Sequence, residues 1–193
     1  MRHRGLLLLL GASLFAVVVG GISAASATPP VGDFAATLDG LNTDASGTVA
    51  LTQRGTHLTV HLQASGLDDG AHVAHIHGVR KGSNACPTAD LDTDGNGLVD
   101  FPEGMPAYGP VQITLSDGLN DQGTTLDYTR DRDRTDAGDG TASLGSMDSY
   151  VAVVHGVDLN GDGVANNPDV EGDGPDDHDD NEITMPALCG PIG

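Results

Sequence analysis

The segment from Asp92 to Glu103 reads DTDGNGLVDFPE and places oxygen-bearing residues at the spacing that a calcium ion needs. Glycine at loop position 6 permits a sharp turn, and glutamate at position 12 can bind the ion through both carboxylate oxygens. An ordinary solvent loop rich in Asp and Gly is the alternative, but the run of matched positions favours calcium. The expected ligands are Asp92, Asp94, Asn96, Leu98 through its carbonyl, Asp100 and Glu103.

A second segment, from Asp158 to Asp169, reads DLNGDGVANNPD and repeats this pattern with aspartate at position 12. Aspartate suits that position less well, because its shorter side chain often reaches the ion through one oxygen only. The acidic run at 169–182 could supply further ligands or a third ion, or it could be a disordered loop. The expected ligands of the second loop are Asp158, Asn160, Asp162, Val164 through its carbonyl and Asp169.

A third group of ligand-bearing residues consists of histidines on apolar segments. His75 and His77 alternate along a predicted strand, so they project from one face of it. His155 ends the apolar segment YVAVVH and could reach the same point from a neighbouring strand. Imidazoles placed in this way can bind one transition metal, and a hydrogen-bonded structural cluster of histidines is the alternative.

The elements that position these residues are predicted to be strands, because apolar and polar residues alternate wherever the chain has a pattern. His57 and His61 fall on the polar face of one such strand, so we expect both at the surface. Many short segments of this kind, with 28 Gly and 10 Pro, predict an all-β Greek-key sandwich or barrel with long acidic loops. The predicted strands cover 34–38, 47–51, 57–62, 72–79, 111–115 and 150–155.

Two loop segments complete this prediction. Pro102, Gly104 and Pro106 follow the first calcium loop and argue against a helix there, so an ion in that loop would be structural and would not act as a sensor. The polar interval 117–148, which contains the alternating charges of 131–134, is expected to be a solvated loop or hairpin tip.

The N-terminus has the layout of a cleaved secretory signal: Arg2 and Arg4, an apolar run at 6–19, and Ala-Ser-Ala at 25–27. A membrane anchor is the alternative, but the apolar run is short for a span. We therefore expect a leader at 1–27, a single domain at 28–193, and a secreted protein that no longer contacts the membrane.

Charge limits the partners of such a protein. Loss of the leader moves the formal net charge from -20 to about -22, because two arginines and no acidic residues are removed. A surface of this sign disfavours nucleic acids and anionic membranes, and it favours metal ions. Cys86 and Cys189 are the two cysteines, so in an exported chain a disulfide is the default expectation, with two free thiols as the alternative.

The order of these features resembles the copper/zinc superoxide dismutase family. The segments HVAHIHG, VVHG and ALCGPIG occur in the order of that family's H-x-F-H-x-H strand, V-V-H strand and C-terminal A-C-G segment, and the strands leading to AHIHG also resemble the chordin-type CHRD module. The resemblance covers about 34–189 and implies a sandwich or barrel with copper on His75, His77 and His155. It also implies an intrasubunit disulfide between the two cysteines, and a supporting, non-ligand role for His72.

The chain departs from this family at the zinc site. No histidine lies between His77 and His155, so the histidine that bridges copper and zinc and the other zinc histidines are missing, and zinc is not expected. Copper would have three histidine ligands where the family uses four, unless His178 joins as a fourth.

A second departure concerns the approach of superoxide. Pro186 stands where the family has an arginine that guides the anion, and a surface near -22 would repel it unless Arg80 and Lys81, or bound calcium, reverse the local field. The sequence therefore supports two functions. The first is a secreted calcium-binding module with a structural or binding role, and the second is a copper-dependent, superoxide dismutase-like oxidoreductase.

Overall fold

Eight antiparallel strands form a nearly closed barrel, which confirms the all-β prediction. The structure is a computed structural model that describes residues 31–79, 82–133, 145–166 and 182–193. The predicted leader therefore lies outside the described residues. The barrel strands are β1 (Val31–Gly40), β2 (Ser46–Arg54), β3 (His57–Ser65), β5 (Val73–His77), β6 (Val111–Thr114), β7 (Thr125–Asp133), β8 (Val151–His155) and β10 (Pro186–Pro191); β4 (Asp69–Gly70) and β9 (Val164–Ala165) form a separate parallel pair.

The strand order in the barrel is β6-β5-β8-β10-β1-β2-β3-β7. Strands β1 to β3 form an antiparallel meander, and β10 returns from the far end of the chain to pair with β1. Three consecutive strands with a fourth beside the first make up a Greek key. The same order places β5 next to β8, so the two segments that carry the histidines are paired neighbours.

Strand β7 corrects the prediction that 117–148 is a solvated loop. Its whole length pairs with β3, with His57 opposite Asp133 and Ser65 opposite Thr125. The sequence conceals this strand because two positions on the inward side carry arginines, Arg130 and Arg132, in place of apolar residues. Arginine can occupy such positions because its stem packs against apolar groups while its guanidinium reaches hydrogen-bond acceptors.

Helix α1 (Phe101–Tyr108) contradicts the prediction that no helix follows the first acidic loop. Asp100 accepts a hydrogen bond from the Glu103 N–H, and the Glu103 side chain accepts one from the Asp100 N–H, which makes a capping box. Pro102 lies in the first turn, where a helix does not use the N–H that proline lacks. Pro106 removes only one hydrogen bond of the helix, so these prolines do not prevent it from forming.

Two apolar clusters lie on opposite faces of the sheet. The main core fills the barrel and includes Leu51, Val60, Ile76 and Val154. A smaller cluster lies on the outer face, where Tyr108 of α1 packs with Val151, Val153 and Cys189. Strand β8 is buried on both faces for this reason, and its sequence is apolar throughout.

The expected disulfide joins Cys86, which precedes the first acidic loop, to Cys189 of β10. The remaining regular elements are 3-10 helices at Ala89–Leu91, Gly118–Asn120 and Met147–Ser149, with a further 3-10 turn at 182–184. Within the described part of the chain, no helix has both the length and the apolar character that crossing a membrane requires.

Candidate metal centre

Three histidines meet on the outer face of the barrel, beneath α1. His75 and His77 share one face of β5, and His155 ends the neighbouring strand β8, where it lies opposite Val73. The ring centroids are 5.5 Å apart for His75 and His77, 5.3 Å for His75 and His155, and 5.4 Å for His77 and His155. One ring nitrogen from each residue lies within 4.8 Å of the other two, so the cluster could hold a metal ion.

Backbone carbonyls fix two of the three rings. The Nδ1–H of His77 donates to the carbonyl of Gly109 over 2.9 Å, and the Nδ1–H of His155 donates to that of Thr184 over 2.7 Å. A carbonyl oxygen only accepts hydrogen bonds, so these contacts assign the proton to Nδ1 and leave a lone pair on each Nε2. The two Nε2 atoms are 3.3 Å apart. The Nδ1 of His75 is buried and has no hydrogen-bond partner.

Burial keeps these imidazoles neutral. His77 and His155 are fully buried, whereas His75 is partly exposed. Desolvation lowers the pKa of His77 to about 4, and desolvation with the nearby His77 lowers the pKa of His75 to about 4. Desolvation also lowers the pKa of His155 well below its usual range, and the charges of His77 and His75 would lower it further. At neutral pH the cluster therefore presents uncharged nitrogen ligands, the form that binds metals.

The surroundings of the cluster hold it in place. The ring of Tyr108 contacts His77 edge-on, with 4.7 Å between centroids, and burial raises the pKa of the tyrosine hydroxyl. His72 is fully buried on a different side of the strand end, with Nε2 2.9 Å from the Asp68 carbonyl oxygen and Nδ1 3.2 Å from that of His155. These contacts fit the supporting role that the resemblance implies for His72. His57 and His61 are exposed, as predicted.

The first acidic loop forms a second candidate site. Carboxylate oxygens of Asp92, Asp94 and Glu103 lie within 4.8 Å of one another. Asp92 accepts backbone N–H bonds from Gly95 and Gly97, both in the left-handed region with φ of 78° and 89°. The other predicted ligands, Asn96, Leu98 and Asp100, also lie in the loop: the Asn96 side chain accepts from the Leu98 N–H and that of Asp100 caps α1.

Glu103 closes this loop through several hydrogen bonds. Its Oε1 accepts from the Thr93 hydroxyl over 2.6 Å and from the Thr93 N–H, and these bonds lower the pKa of the carboxyl. Its Oε2 accepts from the Asp100 N–H. Loop and helix are thereby joined at one side chain.

The second acidic loop has the same local structure. Asp158 accepts backbone N–H bonds from Gly161 and Gly163, Asn160 accepts from Asp162, and Asp162 accepts from Val164. The predicted position-12 ligand, Asp169, lies outside the described residues, as does His178.

Sequence reasoning missed several groups that shape both sites. The carbonyls of Gly109 and Thr184 carry no side-chain signal, so only the tertiary structure could reveal them. Tyr108 belongs to the helix that the prolines concealed. Glu182, whose carboxylate contacts the second loop, ends the acidic run at 169–182 that was expected as a possible source of further ligands, but the sequence did not single it out.

Comparisons with known proteins add nothing to this geometry. No protein-family model matches the chain, and no curated protein matches it either. The function must therefore be inferred from the residues of the two kinds of candidate site.

Proposed function

We propose that this is an exported copper-binding protein with a superoxide dismutase-like barrel. One copper ion is held by His75, His77 and His155, and calcium in the two acidic loops stabilises the surrounding segments. The function is that of a secreted, calcium-stabilised binding module. Two features support it: the histidine cluster could hold a metal ion, and the chain lacks the zinc histidines and the guiding arginine of the dismutase family.

One observation carries the copper proposal: the Nε2 atoms of His77 and His155 face each other at 3.3 Å while both Nδ1 positions are committed to carbonyls. Two buried lone pairs at this distance repel each other unless a cation lies between or beside them. Protonation does not supply that cation at neutral pH, because burial lowers the pKa of His77 to about 4. A metal ion does.

The donor set favours copper among the available ions. Three neutral imidazoles suit Cu, Zn and Ni. Among divalent ions of the first transition row, a given nitrogen site binds copper most tightly. The buried, unpartnered Nδ1 of His75 offers a third nitrogen on the same face. A structural histidine cluster, the alternative from the sequence, would instead be expected to pair each buried nitrogen with a donor or acceptor. Copper bound here would supply one-electron redox chemistry.

Metal analysis tests this proposal. Protein purified without a metal-chelating tag should bind one equivalent of Cu²⁺ with an electron paramagnetic resonance spectrum of nitrogen ligands. His77→Ala and His155→Ala should each lose that signal, while the exposed controls His57→Ala and His61→Ala should keep it. Tighter binding of Zn²⁺ than Cu²⁺, or no stoichiometric Cu²⁺, would overturn the copper assignment.

The calcium part of the proposal rests on Asp92, Asp94 and Glu103, whose carboxylates converge. Three carboxylates this close repel one another unless a cation binds them. In copper-free protein, Glu103→Gln should lower the melting temperature in the presence of calcium by more than it does in EGTA. Asp90→Asn, a neighbouring acid outside the loop, serves as the charge-matched control. Equal losses in calcium and in EGTA would contradict a calcium role for the loop.

A second candidate function is superoxide dismutase-like catalysis, which the partial exposure of His75 favours, because an ion there would be reachable from solvent. The large negative charge opposes it by repelling the substrate anion. Copper-loaded protein should then remove superoxide faster as salt is added, since salt screens this repulsion. Activity no greater than that of free copper would exclude this candidate.

A further inference from the structure

Glu182 is a fully buried glutamate that directs its carboxylate into the second acidic loop. Its Oε1 accepts hydrogen bonds from the N–H groups of Leu159 and Asn160 over 2.9 and 3.2 Å, and its Oε2 accepts from that of Asn166 over 2.9 Å. Among the ion pairs of the described residues, none involves this carboxylate. A buried carboxylate normally has a cation as well as hydrogen-bond donors.

The contacts of Glu182 with backbone N–H groups repeat those of Glu103, position for position. In the first loop, Glu103 accepts through Oε1 from positions 2 and 3, Thr93 and Asp94, and through Oε2 from position 9, Asp100. Leu159, Asn160 and Asn166 hold positions 2, 3 and 9 of the second loop. Glu103 is the position-12 residue of its loop, so the tertiary structure places Glu182 where the second loop needs a position-12 glutamate.

The same residue lies beside the histidine centre. The main-chain carbonyl of Glu182 accepts hydrogen bonds from the N–H groups of Val157 and Met185, and Gly156 donates to Met185. This pairing holds 182–185 against the residues that follow His155. It also positions the Thr184 carbonyl that accepts the Nδ1–H of His155 over 2.7 Å.

We propose that Glu182, and not Asp169, closes the second calcium loop, and that Glu182 thereby acts as a positioning residue for His155. The proposal rests on the calcium and copper binding proposed above, and it adds that the two sites are coupled. Calcium in this loop would hold Glu182 in place, and through Thr184 it would fix the ring of His155 with Nε2 directed at the copper. Groups that orient a metal-binding histidine typically alter metal affinity about 10- to 100-fold when they are lost.

The first experiment counts calcium ions by titration calorimetry in copper-free protein. Wild type should bind two, Glu182→Gln should bind one, and Asp169→Asn, the same acid-to-amide change at the sequence-predicted position, should bind two. Retention of two ions by Glu182→Gln with loss of one by Asp169→Asn would overturn the assignment but leave calcium binding intact. Failure of wild type to bind calcium would instead refute the calcium function itself.

The second experiment measures the coupling between the two sites, first in wild type and then in Glu182→Gln. Cu²⁺ affinity of wild type, measured by competition with glycine, should be about tenfold higher with saturating calcium than in buffer freed of calcium on a chelating resin. Glu182→Gln should abolish this calcium dependence, and its Cu²⁺ spectrum should differ from that of wild type. Equal Cu²⁺ affinity of wild type with and without calcium would overturn the coupling, whether or not Glu182→Gln folds.

Discussion

The chemistry open to the histidine cluster depends on which nitrogen of each ring is already hydrogen-bonded. His77 and His155 each give up Nδ1 to a backbone carbonyl, which turns both Nε2 atoms toward one point. His75 differs, since its buried Nδ1 has no partner and its ring is partly exposed. The three histidines therefore differ in their setting: two are buried with their Nε2 atoms oriented toward each other, and one is partly exposed on the solvent side of the cluster.

At this scale we predict a pH dependence of apo-protein stability. The unfolded histidines bind protons near pH 6.5, whereas folded His75 and His77 do so near pH 4, so the free energy of unfolding should fall as pH drops from about 6.5 to 4. One histidine with this shift contributes ~3 kcal/mol. Urea denaturation across this range measures it.

The controls for this prediction are the exposed histidines. His75→Gln removes one titrating ring and should flatten the dependence on pH, while His57→Asn and His61→Asn should leave it nearly unchanged. A wild-type stability that does not change between pH 6.5 and 4 would show that the cluster is not held neutral by burial.

At the scale of elements, the barrel is closed by side chains where its edge strands meet. Within the described residues, no backbone pairing joins β6 to β7. Arg132 of β7 instead donates to the carbonyls of Thr114, Leu115 and Ser116, and it also pairs with Asp117. Arg130 forms ion pairs with both Asp117 and Asp121 at the same junction between β6 and β7. Unpaired edge strands tend to associate with other chains, so these arginines protect the edges.

We predict that Arg132→Lys lowers the free energy of unfolding by ~1–3 kcal/mol, because a lysine ammonium cannot reproduce the planar fork that reaches several carbonyls. Arg54→Lys is the matched control. Arg54 donates to the carbonyls of Gly32 on β1 and of Gln53 on its own strand, and it pairs with Asp33 in an exposed setting, so this substitution should lower the free energy of unfolding by less than ~0.5 kcal/mol. Chemical denaturation at neutral pH compares the two. A similar decrease of the unfolding free energy in both variants would mean that the junction between β6 and β7 does not depend on Arg132.

At the scale of the whole molecule, the structure connects the histidine cluster to distant parts of the chain. Gly109, the residue after helix α1, supplies its carbonyl to His77, and the segment before β10 supplies the Thr184 carbonyl to His155. The disulfide between Cys86 and Cys189 joins the chain before α1 to β10, across 103 residues. The disulfide and these hydrogen bonds thereby hold helix α1 and the segment before β10 around the histidine cluster.

We predict that the double variant Cys86→Ala/Cys189→Ala loses up to ~4–5 kcal/mol of unfolding free energy, the chain-entropy value for a loop of this length. Reduction of wild type should give a similar loss, since the sulfurs then pack without constraining the unfolded chain. Denaturation with and without reductant measures both. If neither treatment changes stability by more than ~1 kcal/mol, the disulfide does not constrain the fold in this way.

The sequence by itself determined the strand faces and the local loop structure. Alternation placed His75 and His77 on one face and His57 and His61 on another, because side chains of a strand alternate with period two. The spacing of Asp and Gly in both acidic loops was sufficient to predict their turns, since these depend on bonds between residues two to five positions apart. Arg130 and Arg132 concealed β7, and Pro102, Gly104 and Pro106 concealed α1.

Only the tertiary structure decided which groups complete each site. The Gly109 and Thr184 carbonyls and the approach of Glu182 to the second loop all join residues far apart in the chain. The meeting of His155 with His77, which the sequence offered as one possibility, also depends on strand order. Local patterns cannot encode such contacts, because strand order and packing bring them about. For this reason the sequence could name the ligand types, whereas the fold selected their orientation and partners.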